Sequence, residues 1–339
     1  KLLAKLLCCL LLSIFILPLR ASLQLLSVYT DDKPYNKVCW LTTHNAFANL
    51  EDGWGLYNQQ TIGFNAQYQL GVRSFMLDLH WYQPASGDAY IALCHEDPIP
   101  KDASCPETYI FRGFQGNPVS LEKYFQQIKI WLETNQEDVI TLHFESYLGA
   151  KGGKALKELL EKPQLKLDKY LYKPCEAFPE EDFFAIHHGR RLAKRWPTLG
   201  QMRKADTRLV IFSSNLGDEM LSVDNYHETA YDLAYAPNCE KRKDRRVLAP
   251  KNGQLFLINH FHKYSFTIPF FTTNYQSINS FSAIMKRVEE CYFQFKKWPN
   301  FIAVDFVEEG LESGPKAAVF KVNTEKFVTS DSTLSHDEL

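Results

Sequence analysis

Short apolar runs alternate along this chain with segments of helical periodicity. Seven runs read as strands: Lys37 to Thr43, Arg73 to His80, Ala89 to His95, Asp138 to Ser146, Arg208 to Ser214, Leu255 to His260 and Phe301 to Val307. Between them the spacing predicts helices over Phe64 to Leu70, Ser120 to Asn135, Lys151 to Leu160, Trp196 to Lys204, Ser277 to Phe295 and Gly314 to Asn323. Leu121, Tyr124, Phe125, Ile128 and Leu132 draw the apolar stripe of the second helix. Gly71 ends the first, and Pro197 opens the fourth as a first-turn residue. Several strands are nearly continuous apolar runs, the mark of parallel strands buried on both faces. This alternation runs on without a break in composition. It predicts a single-domain α/β fold, a distorted TIM (β/α)8 barrel. An open doubly wound sheet is the runner-up, but no GxGxxG follows any strand.

In such a barrel, chemistry gathers at the carboxyl ends of the strands. There this sequence collects polar side chains: His44 and Asn45, Asp78 and His80, His95, Glu145, Asn259 and His260, and Asp305. One histidine at a strand end is usually a satisfied cap of a loop; a set spread over most strands points to an active site. Two histidines, His44 and His95, can pair as general base and general acid near neutral pH. Carboxylates with an amide oxygen suit a hard cation, Ca²⁺ or Mg²⁺. Together they match cleavage of a phosphodiester.

Composition narrows the partners. The 339 residues are 45% hydrophobic and carry a formal charge of -2, so no polyanion partner is implied and no nucleic acid is expected. Lys1 and Lys5 precede an apolar run from Leu6 to Leu19, followed by Ala21 and Ser22, the order of a secretory signal over residues 1–26. A barrel over 27–330 and a tail over 331–339 would follow. The tail ends in His336, Asp337, Glu338 and Leu339, an HDEL address read by the retrieval receptor of the endoplasmic reticulum, whose lumen is the expected location. Cys8 and Cys9 fall in the signal. The other six cysteines, in an oxidising lumen, suggest up to three disulfides, with Cys94 and Cys105 the best pair because they bracket a short Pro-rich loop.

THN at Thr43 to Asn45, QLGVRSFMLDL at Gln69 to Leu79 and LCHE at Leu93 to Glu96 resemble the phosphatidylinositol-specific phospholipase C X-domain family, in its secreted, single-domain form. VITLHFESYL at Val139 to Leu148, WPTLGQM at Trp196 to Met202 and NFIAVDF at Asn300 to Phe306 extend the resemblance over almost the whole mature chain. It implies a phosphodiesterase acting on an inositol phospholipid at a membrane interface. His44 would be the base on the inositol 2-hydroxyl and His95 the acid on the diacylglycerol oxygen. In calcium-dependent relatives an Asn, strand-borne acids and a Glu hold the cation; Asn45, Asp78 and Glu145 match those places.

Two positions depart from the family pattern. Calcium-dependent relatives carry an acid where this chain has Met76, so a Ca²⁺ site would be weak or absent. Metal-independent relatives carry an Arg where this chain has His80. His80, His143, Asn259, His260 and Asp305 are the candidates for holding substrate or phosphate, with His143 equally readable as a buried, hydrogen-bonded histidine. Arg73 has the opposite strand phase to Asp78 and points away from the site. The aromatic segment Phe261 to Tyr275 reads as an interfacial rim or as a packed loop. The basic runs His187 to Arg195 and Lys241 to Arg246 read as solvated faces or as attractors of anionic headgroups. Two other functions stay open: a phosphodiesterase on another lipid (a lysophospholipid, sphingophospholipid or glycerophosphodiester), and a catalytically decayed barrel that binds lipid or protein.

Overall fold

The computed structural model describes residues 25–54, 58–94, 118–173, 184–187, 190–193, 196–213, 221–222, 226–230, 239–242, 254–262 and 274–330. Residues 1–24 of the expected signal segment, the HDEL tail, His95 and Cys105 lie outside the described residues. In chain order the elements are β1 (Trp40–Thr43), α1 (Phe64–Gln69), β2 (Ser74–Tyr82), β3 (Tyr90–Leu93), α2 (Leu121–Thr134) and β4 (Ile140–Ser146). Next come α3 (Gly152–Leu160), β5 (Phe184–His187), β6 (Arg190–Ala193), α4 (Leu199–Lys204), β7 (Leu209–Ser213), β8 (Leu221–Ser222) and β9 (Tyr226–Glu228). The chain closes with β10 (Leu255–His260), α5 (Tyr275–Ile278), α6 (Phe281–Phe295), β11 (Phe301–Val304) and α7 (Gly314–Ser330).

The main sheet runs β8-β7-β4-β2-β1-β11-β10-β9, every neighbouring pair parallel. Its first strand therefore pairs with its last, as a barrel requires. The curl is read from side chains that meet across the interior. The ring of His143 on β4 lies 4.6 Å from that of Phe301 on β11, and 5.3 Å from that of Tyr226 on β9. Three strand spacings of a flat sheet would separate β4 from β11 by about 14 Å. Phe212 on β7 completes this aromatic plug. Among the described residues β8 and β9 do not pair, so the barrel is distorted and open at that seam.

The helices pack outside. Ser120 caps α2 by accepting from Lys123 N, and the stripe Leu121, Tyr124, Phe125, Ile128 and Leu132 is buried, with Trp131 added. Four expectations need correction. The run at 90–93 is not a barrel stave: β3 pairs antiparallel with β2 as a hairpin arm. α4 starts at Leu199, because Thr198 and Gln201 form a capping box that places Pro197 before the cap. The long helix expected from Ser277 is two, since Asn279 ends α5 and the Ser280 side chain caps α6. Part of the basic run from His187 is the β-hairpin β5–β6. The short strand β9 had no apolar run to announce it.

Cys239 and Cys291 form a disulfide that ties the segment after β9 to α6. Cys39 is a buried thiol, which leaves at most two disulfides among the other five cysteines outside residues 1–26 rather than three. Cys94 is disulfide-bonded, and its expected partner Cys105 lies outside the described residues.

Candidate active site

The ends of β1 and β11 are joined before any site chemistry appears. Gln60 Nε2 donates to His44 O at 2.8 Å and to Val304 O at 3.0 Å, stapling the two strand ends. Asn45 then takes φ +40°, a left-handed conformation that Asn adopts more readily than most residues. The turn lets Ala46 N reach Met76 O on β2, and Asn45 Nδ2 donates to Gln59 Oε1 at 2.6 Å. After β11, Phe306 sits at φ +48°, which costs a side chain of its kind about 1–2 kcal/mol. It is held there by its N–H on Gln59 O, by Asn279 Nδ2 on its carbonyl and by its ring against Tyr275.

Those two turns present His44 and Asp305 to each other. His44 Nδ1 lies 2.8 Å from Asp305 Oδ1; the carboxylate is fully buried and the imidazole 15% exposed. The carboxylate fixes Nδ1 as the protonated nitrogen and leaves Nε2 as the acceptor. Phe261, first residue after β10, lies flat on the imidazole with ring centroids 3.7 Å apart. It is a wall of the site and not part of an exposed rim; residues 263–273 of that aromatic segment lie outside the described residues.

A second cluster faces this pair. Asp78 and Glu145 are register partners on β2 and β4, with Met76 and His143 one inward step below. His44, Asn45, Met76, Asp78, His143, Glu145 and Tyr226 line one cleft together with Phe144. Arg242 grips Glu145 with both arms: Nη2 donates to Oε1 at 2.5 Å and Nη1 to Oε2 at 3.0 Å. Nη1 also reaches Oε1 of the fully buried Glu228 on β9 at 3.2 Å. Asn259 Nδ2 donates to the same oxygen at 3.0 Å, which makes Asn259 a support for Glu228. The backbone of Arg242 is fixed as well. Ala230 N bonds Glu240 O, Arg242 N bonds Glu228 O, and the disulfide at Cys239 anchors the segment.

The remaining predicted residues separate by strand phase. His143 is the cleft floor, hydrogen-bonded through Nε2 to Ser74 Oγ and packed in the aromatic plug. His80 stacks on Tyr147, whose hydroxyl donates to Glu145, and so sits at the edge of the cluster. His260 does not belong to the site. It occupies the opposite phase to Asn259, its Nε2 donates to Ile278 O at 2.9 Å, and burial pushes its pKa down to about 4. Arg73 also lies away from the site, buried and paired with Asp138.

The residues expected to hold Ca²⁺ do not form an open shell. Both oxygens of Glu145 accept from Arg242, and Tyr147 Oη adds a third donor. Met76 supplies no oxygen. Ca²⁺ asks for six to eight oxygens in a flexible cage, and no group of three His, Cys, Asp or Glu among the described residues makes one.

Residues 31–318 match the PI-PLC X domain family. The chain belongs to that family. It is 26% identical over 294 residues to a PI-PLC X domain-containing protein of Arabidopsis thaliana, covering 80% of this chain and 58% of the relative. The chain thus spans less than two thirds of that relative's length. A PI-PLC X domain-containing protein 1 of Arthroderma benhamiae is 21% identical over 302 residues, covering 82% and 83%. Among solved structures, the phosphatidylinositol-specific phospholipase C of Listeria monocytogenes superposes with TM-score 0.51 at 15% identity, over 89% of this chain and 98% of that one. A variant of the Staphylococcus aureus enzyme gives 0.53 at 12% identity, over 91% and 99%. At such identities the likeness establishes the fold, that of a phosphodiesterase-type TIM barrel. Within this PI-PLC X chain, sequence reasoning missed Gln59, Gln60, Glu228 and Arg242. Only Arg242 left a trace, inside the basic run Lys241 to Arg246 and three residues after a cysteine.

Proposed function

We propose that this protein cleaves the phosphodiester of an inositol phospholipid by phospholipase C chemistry. The observation that carries the reading is His44 Nδ1 at 2.8 Å from the buried Asp305, at the carboxyl end of paired parallel strands. A base oriented by a carboxylate leaves Nε2 free to take a proton from an attacking hydroxyl. On substrate, that hydroxyl is the inositol 2-OH. Its oxygen attacks phosphorus while His95 protonates the departing diacylglycerol oxygen. The family and the barrel support a phosphodiester substrate, and two relatives in fold are named as phosphatidylinositol-specific phospholipases. The Cys239–Cys291 disulfide supports work in an oxidising lumen, as the secretory signal and HDEL tail imply.

The test is release of water-soluble inositol phosphate from phosphatidylinositol in mixed micelles. Wild-type protein should turn over, and His44→Ala and His95→Ala should each fall by about 10³-fold, within the range for general acid–base groups. Equal release by His44→Ala and wild type would overturn the roles. Release of a different headgroup, from a sphingophospholipid or glycerophosphodiester, would move the substrate and keep the chemistry.

A further inference from the structure

We propose that Arg242 occupies, as a fixed internal cation, the place at this cleft where a divalent metal would otherwise sit, and that the protein therefore takes no Ca²⁺ there. The inference builds on the reading of the cleft as a phosphodiesterase site, but it is measured by cation binding and not by turnover. Three carboxylates approach this end of the barrel: Asp78 and Glu145 side by side in register, and Glu228 from β9. Left to themselves, they would repel one another and draw in a hard cation. The Arg242 guanidinium instead spans two of them, bidentate on Glu145 and single on Glu228, and is itself only 11% exposed. A guanidinium keeps its charge at every accessible pH, and its planar fork suits this bidentate pairing.

The placement is built into the fold. Lys241 bridges Thr229 antiparallel at the end of β9, the Arg242 N–H is on Glu228 O, and Cys239 is bolted to α6. A metal entering here would have to take Glu145 from both arms of Arg242 and leave a buried guanidinium without its bidentate partner. Met76 fits the same scheme: with the charge supplied by Arg242, the strand position inward of Asp78 needs no further oxygen and packs with the cleft floor.

The measurement is Tb³⁺ luminescence, with Tb³⁺ as the probe for a Ca²⁺ site, on wild type, Arg242→Met, Arg242→Gln, Glu145→Gln and the pair Arg242→Met with Glu145→Gln. It is paired with thermal unfolding in CaCl₂. Wild type should show no saturable site signal and no Ca²⁺-induced shift in Tm. Either Arg242 variant that gives a cooperative unfolding transition should gain saturable Tb³⁺ binding and a Tm rise of roughly 2 °C or more at Ca²⁺ well above Kd. The added Glu145→Gln should abolish that gain. Saturable binding by wild type that Glu145→Gln removes would overturn the proposal. So would folded Arg242 variants that gain nothing, or the failure of both to fold in metal-free buffer and in CaCl₂ alike. None of these outcomes depends on whether phosphatidylinositol is the substrate, which the His44→Ala assay decides separately.

Discussion

His44 Nδ1 lies 2.8 Å from Asp305 Oδ1, and the Asp305 side chain has no contact with solvent. The carboxylate thereby sets the tautomer of the base and stabilises the imidazolium that forms when Nε2 takes a proton. Asp305→Asn keeps the shape and offers an amide that can present its N–H to Nδ1, which selects the other tautomer. The expected result is a fall in kcat of about 10³-fold or more with KM changed far less, and a folded protein. Steady-state kinetics on phosphatidylinositol micelles reads it; kcat within threefold of wild type would remove Asp305 from the mechanism.

At the opposite end of the barrel, Asp138 is shared by Arg73 and Tyr68. Arg73 Nε donates to Oδ1 at 2.8 Å and Tyr68 Oη to Oδ2 at 2.5 Å, while the guanidinium lies 4.0 Å over the Tyr68 ring. Asp138→Ala leaves a buried guanidinium without its counter-charge, a change that costs about 3–5 kcal/mol. Denaturant titration should show that loss. The amino ends of barrel strands serve stability and not chemistry, so turnover of the still-folded variant should stay near wild type. A stable but inactive variant would contradict the division of labour.

These two networks differ in how far the sequence announced them. Period-two alternation along β2 and β4 was enough to put Asp78, Glu145 and His143 on one face and Arg73 on the other. The same rule, applied to β10, separates Asn259 from His260, because adjacent residues cannot both face the interior. Taking both as site residues ignored it, and His260 packs against α5 as a result. His44 meets Asp305 because β1 pairs with β11, and that closure follows from the barrel. Arg242 was not readable in this way. It stands in a run of like charges with no periodicity, and its inward turn is set by pairing with the three-residue strand β9 and by a disulfide to a helix 52 residues further on. Long-range pairing of that kind has no local signature. The break between α5 and α6 was legible in part, since Ser280 is a good helix cap, but Asn279 is placed by its bonds to the carbonyls of Asp305 and Phe306.

The Cys239–Cys291 disulfide closes a loop of 52 residues. Chain entropy assigns such a closure about 4 kcal/mol of stability. The double substitution Cys239→Ser with Cys291→Ser should lower the unfolding free energy by roughly that amount. Wild type in reductant should fall at least as far, because reductant also opens the Cys94 disulfide. The segment carrying Arg242 hangs from this bond, so limited proteolysis should cut first between β9 and β10 in the variant. Cleavage there at the wild-type rate would show that the backbone bonds to β9 suffice without the disulfide.

Stability should also fall in mild acid through His260. Its imidazole titrates near 6.5 in the unfolded chain and is pushed down to about 4 in the fold by burial, with the positive charges of Arg287 and His262 acting in the same direction. Between those values the unfolded chain binds a proton that the native protein refuses, so unfolding gains from acid. The contribution is fully present above about pH 6.5, declines as pH drops through the window, and is gone below about pH 4, where both states are protonated. The shift of 2.5, from 6.5 to 4, corresponds to about 3 kcal/mol. His260→Gln retains an N–H for Ile278 O and removes the titration. Urea unfolding across pH 4 to 7 should give a flatter profile for the variant, with the two curves close at pH 7 and diverging toward the acid end, where wild type alone loses this stability. Identical slopes in variant and wild type would place the acid sensitivity on another group.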